Sequence, residues 1–79
     1  METNQAFLVT DWTILIGAMV HVWQDRRILR MGVVETVSTD GRVIWLEQGH
    51  GFGRQVVDKG SGFQILISEQ QLRSIGKLQ

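Results

Sequence analysis

Cysteine and proline are both absent from the 79 residues. Without cysteine no disulfide can staple the fold and no thiolate can hold a metal. That usage suits a cytoplasmic protein, which is the expectation. The lack of proline disfavours a polyproline II linker, and loop rigidity must come from elsewhere. An excess of charge of one sign is also missing. Lysine and arginine total 8, aspartate and glutamate total 8, and the formal net charge is zero. Nucleic-acid binders usually carry a basic excess that neutralises phosphates, so the balance counts against nucleic acid while leaving room for a local patch. A neutral small domain is weakly protected against association, and a homo-oligomer is expected. No hydrophobic run is long enough for a bilayer. The longest, Trp12 to Trp23, is interrupted by Thr13, Gly17 and His21, so no membrane partner is expected. The opening Met-Glu-Thr-Asn-Gln has no basic n-region, so no secretory signal is expected either.

What is present describes one small globular domain. Hydrophobic residues make up 43% and charged residues 20%, a balance that supports folding, although a chain this short has a thin core. Residues 1–13 are expected to be a partly ordered N-terminal arm, with Phe7, Leu8 and Val9 able to dock on the domain formed by residues 14–79. Thr10 or Asp11 can cap a short turn before Trp12. From Ile14 a period of two takes over, the signature of pleated strands. Val20 and Val22 point one way, His21 and Trp23 the other. Gln24 to Arg27 reads as a loop, and Ile28 to Val37 as a second strand with Gly32 marking a bulge or bend. Asp40-Gly41 tolerates the positive φ values of a tight hairpin turn into Val43–Leu46. Gln48 to Gly53 is a glycine-rich loop, Arg54–Asp58 a fourth strand, Lys59–Gly62 a second turn, and Phe63–Ile67 a fifth strand. Ser68-Glu69-Gln70-Gln71 fits a capping box, so a short helical turn should follow with Leu72 and Ile75 on its buried side.

Gly17-Ala18-Met19-Val20-His21-Val22 resembles the G-x-x-V-x-V opening of SH3-like barrels of the KOW and Tudor type. Gly32-Val33-Val34 and the Asp40-Gly41 turn are similar to their second and third strands. The resemblance covers most of residues 14–75. It implies an all-β fold, a five-stranded SH3-like antiparallel barrel with a short C-terminal helical turn. A narrower likeness exists to the plasmid-borne type II dihydrofolate reductases. Phe63-Gln64-Ile65-Leu66, followed by Leu72-Arg73-Ser74-Ile75, looks like the end of those chains. That likeness implies a tetrameric pore lined by Gln64 and Ile65. Leu66 stands where that family has tyrosine, and its pore lysine has no counterpart.

No catalytic motif is visible: there is no G-x-S-x-G, no P-loop and no H-E-x-x-H. No cofactor and no metal are expected, because His21 and His50 are far apart in sequence and no further ligands have suitable spacing. Gly49-x-Gly51-x-Gly53 is followed by a strand pattern rather than a helix, so it reads as a loop and not as a phosphate cradle. The tryptophans carry more information. In Val43–Leu46 both faces are apolar, and so are Ile28-Leu29 and Val33-Val34. A small barrel has difficulty covering two apolar faces by itself, so either the N-terminal segment or a second chain covers one. Trp23, Trp45, His50 and Phe52 are the expected partner-binding residues. Arg26, Arg27 and Arg30 form the one basic cluster and, beside Trp23, the candidate nucleic-acid contacts. The expectation is therefore a non-catalytic interaction module that binds a protein or peptide and self-associates through apolar strand faces. The alternatives are a nucleic-acid-binding domain that uses the arginines, and a reductase-like pore.

Overall fold

The structure is a computed structural model that describes residues 6–49 and 51–76. Strands β1 (Ala6–Val9), β2 (Met19–Gln24), β3 (Arg27–Val37), β4 (Val43–Leu46), β5 (Gln55–Asp58) and β6 (Gln64–Ser68) form one sheet in the order β1-β6-β2-β3-β4-β5. All the pairings are antiparallel. A 3-10 turn, Trp12–Ile14, precedes β2, a second, Lys59–Ser61, links β5 to β6, and helix α1 (Glu69–Ser74) follows β6. The all-β class expected from the alternation is present. The architecture differs from five closed strands, because β1 is a sixth strand and the sheet stays open, with β1 and β5 as its edges. The apolar run Phe7-Leu8-Val9 supplies β1. It lies along β6, with Phe7 opposite Ile67 and Val9 opposite Ile65.

The long strand β3 lets the sheet curl around a core. Its register slips twice, leaving Leu29 and Glu35 as extra residues against β2 and β4 respectively. Each bulge bends the strand and increases its twist. The concave side then collects Val20, Val22, Val34, Ile44, Leu46, Val57, Ile65 and Ile67, all buried, as alternation requires. Val9, Trp12, Leu15 and Ala18 complete this cluster, so the core reaches back well before Ile14. Trp12 is only 1% exposed. Its indole Nε1 donates to the Val9 carbonyl at 3.1 Å, which satisfies the one polar atom of a buried ring. Asp11 caps the turn, accepting from the Thr13 amide.

Two glycines are set by close approach. Gly41 has φ +73, and a Cβ there would lie 2.9 Å from Thr13 Cγ2, so the β3–β4 loop rests on the Trp12 turn. That loop is longer than a two-residue hairpin. Asp40 stabilises it by accepting from the Ser38 hydroxyl and the Arg42 amide. These bonds to the charged form, the Ser38 hydroxyl first, hold the Asp40 carboxyl below its ordinary 3.8. Gly32, expected at a bulge or bend, instead leaves room for a neighbour. Its Cβ would stand 3.0 Å from Arg30 Nη2.

The C-terminal turn forms as its capping residues dictate. Ser68 Oγ accepts from the Gln71 amide at 3.1 Å, and Leu72 and Ile75 pack on the core. The reciprocal bond of a capping box is replaced by a tertiary one: Gln71 Oε1 accepts from the Met19 amide at 2.9 Å, tying α1 to the start of β2. Among the described residues no helix is long and apolar enough to cross a membrane.

Candidate functional site

The convex face of the sheet is the candidate site. Directly paired residues of adjacent strands project to the same side, and the register sets one row across four strands: Leu8, Leu66, His21 and Met31. A second row holds Gln64, Trp23 and Ile28. Leu66, His21 and Trp23 are half-buried, while Leu8 and Ile28 are each 53% exposed. The bulge at Leu29 places that residue beside Ile28, and both side chains are exposed. Exposed apolar side chains that are contiguous, rather than scattered, mark contact surfaces.

The residues expected to bind a partner do not form one cluster. Trp45 lies on the convex side of β4, between Thr36 and Val56. Trp23 pairs with Ile28 near the start of β3, and Trp45 pairs with Thr36 near its end. At about 3.3 Å per residue those positions are roughly 25 Å apart along the strand. Phe52 is exposed on the loop between β4 and β5, where Gly49 and Phe52 exchange backbone hydrogen bonds of 2.8 and 2.9 Å. His50 lies outside the described residues.

The arginines also separate. Arg26 and Arg27 are exposed at the β2–β3 turn. Arg30 is opposite Val22 on the concave side and is 5% exposed. Its guanidinium donates to the Gly53 carbonyl at 2.9 Å, Gln55 Oε1 at 3.1 Å, the Met31 carbonyl at 3.2 Å and the Glu47 carbonyl at 3.4 Å. The Phe52 ring lies 4.6 Å from it. Arg30 is thus a clamp holding the β4–β5 loop against β3, committed to acceptors within the fold. Gln64 and Ile65 point to opposite sides: Gln64 is exposed and Ile65 fully buried in the core. They share no surface in this chain.

Three features were not legible as site features in the sequence. Leu8 and Leu66 join the convex row only because β1 pairs with β6. The apolar character of both faces was the available signal, and it does not say which residues become neighbours. Leu29 is re-aimed by a bulge with no residue signature. A cleft of about 300 Å³ lies between β1 and the start of β6, lined by Leu8, Val9, Trp12, Lys59, Phe63 and Gln64. Lys59 Nζ sits 4.9 Å from the Trp12 ring centroid and donates to the Thr10 carbonyl, so its charge is engaged at the rim. Among the described residues no group of three or more His, Asp or Glu is gathered as metal ligands. The sequence matches no protein-family profile, no curated protein and no solved structure.

Proposed function

We propose that this chain is a non-catalytic interaction module of the SH3-like kind that self-associates through the convex face of its sheet. The observation that carries this reading is the row Leu8–Leu66–His21–Met31, apolar but for His21 and contiguous with Trp23 and Ile28. In a monomer Leu8 and Met31 are exposed and Leu66 and His21 half-buried, and burying the remaining apolar area on a second copy is favourable at about 25 cal/mol per Å². The zero net charge leaves little long-range repulsion to oppose the contact. The SH3-like part of the reading is supported by strand order. Strands β2 to β5 form a meander, β6 returns to pair with β2, and the bent β3 is shared by both halves of the sheet.

Solution mass by light scattering tests the reading. The wild-type chain should be oligomeric, and Leu66→Glu should dissociate it, because the carboxylate would enter the contact while the concave core stays intact. A monomeric wild-type protein at high concentration refutes self-association.

A further inference from the structure

The turn between β2 and β3 has two residues, Asp25 and Arg26, with φ of 54° and 67°. Positive φ at both positions is what a type I′ hairpin turn requires, and Asn-Gly or Asp-Gly supplies it at least cost. An arginine at the second position is held in the left-handed region, against the steric preference of any residue with a Cβ. Local strain of this kind concentrates where a side chain is used.

Two further observations converge on the same hairpin end. Among the described residues the ion pairs are Arg54–Glu35 and Arg73–Glu69, so Arg26 and Arg27 present guanidinium groups with no carboxylate bound. Beside them, the Leu29 bulge leaves two adjacent aliphatic side chains, Ile28 and Leu29, 53% and 41% exposed. Trp23 lies opposite Ile28. The end of the hairpin is therefore an apolar patch bordered by two arginines and the one exposed carboxylate of Asp25. Arg27, paired with Gln24, leaves from the side opposite Trp23 and Ile28, so a partner meets it by reaching around the hairpin end.

We infer that this hairpin end docks a segment of a partner protein in which aliphatic side chains alternate with carboxylates. The aliphatic groups cover Ile28, Leu29 and Trp23, and the carboxylates meet Arg26 and Arg27, whose forked donors suit them. The chemistry disfavours two other polyanions. Single-stranded nucleic acid stacks its bases on exposed rings, whereas here the exposed groups are branched aliphatics and Trp23 is half-buried. Anionic lipid is held by clusters of about four to eight cations, and this rim has Arg26 and Arg27. The inference rests on the reading of the chain as an interaction module; it uses the turn arginines, and it shares Trp23 and Ile28 with the border of the Leu8–Leu66 row.

The test is fluorescence anisotropy with a short labelled peptide of alternating leucine and glutamate. A leucine–lysine peptide, a single-stranded oligonucleotide and phosphatidylserine vesicles are the comparisons. The leucine–glutamate peptide should bind most tightly, and less tightly as salt rises. The double variant Arg26→Gly, Arg27→Ala should weaken it about tenfold or more. Arg26→Gly alone should leave the thermal midpoint within about 5 °C of wild type, because relief of the turn offsets the added chain freedom. Trp23 and Ile28 border the self-association row, so Leu66→Glu should leave peptide binding as tight or make it tighter. The double arginine variant should leave the solution mass unchanged, and that pair of results separates this site from self-association. No binding of the leucine–glutamate peptide overturns the inference. So does equal binding of the lysine peptide, tighter binding of oligonucleotide or vesicles, or undiminished affinity in the double variant.

Discussion

Replacing Arg30 by methionine should destabilise the protein more than removing any exposed charge. Methionine keeps much of the stem's length and apolar contact but removes every donor. The bonds lost across the fold are those to the Gly53 carbonyl, Gln55 Oε1 and the Glu47 carbonyl. A bond from a charged donor contributes about 1.5–3 kcal/mol where water is excluded. Gly53, Gln55 and Glu47 are exposed residues, so water replaces part of each lost bond. The cation–π contact with Phe52 adds about 0.5–1 kcal/mol. Against this, methionine removes the cost of desolvating a guanidinium. The balance is a loss of about 2–4 kcal/mol, or roughly 10–25 °C in Tm at this chain length. Arg30→Lys keeps the charge, but a single ammonium cannot span those separated acceptors, so it should recover less than half of the loss. Urea denaturation followed by circular dichroism measures the stability. Limited proteolysis between Glu47 and Gln55 measures the clamp, and both variants should be cut faster there. A methionine variant as stable as wild type, with an equally protected loop, would refute the reasoning. It would mean that desolvation cancels the bonds. A lysine variant indistinguishable from wild type would show that charge alone, and not the forked geometry, holds the loop.

Trp12→Ala removes a 1%-exposed ring from the core and should cost about 3–5 kcal/mol in urea unfolding; a cost below about 1 kcal/mol would show that the site collapses or refills. Gly41→Ala meets both an unfavourable φ of +73 and Thr13 Cγ2 at 2.9 Å, so it should destabilise by about 1–3 kcal/mol, and paired Thr13→Ser should recover part of that loss; an unchanged Tm contradicts it. Asp40 has its carboxyl held below 3.8 in the fold, so its bonds stabilise the protein above the unfolded value and are lost as pH falls through the lower folded value. The stability difference between wild type and Asp40→Asn should therefore hold steady at neutral pH and narrow as pH drops below 3.8; a difference independent of pH would remove the carboxylate from the account of this loop.

Alternation, turn residues and capping residues are local properties, and they were sufficient to specify most of the secondary structure. Val20 against His21, Ile44 against Trp45 and the Ser68 cap all stand where a reading of neighbouring residues puts them, because pleat and hydrogen-bond geometry act over two to four positions. Which apolar face becomes the core was not decided locally. Trp45 and Ile44 are both apolar, and only the curl of β3 at Leu29 and Glu35 turns one inward. The same holds for Arg30. In the sequence it lies beside two other arginines, and in the fold it is opposite Val22 on the concave side, held by acceptors between 17 and 25 positions along the chain. The Asp25–Arg26 turn lacks a glycine to announce it, and β1 exists because β6 offers an edge. Pairing and burial of this kind depend on contacts between distant segments, and no residue carries that information alone.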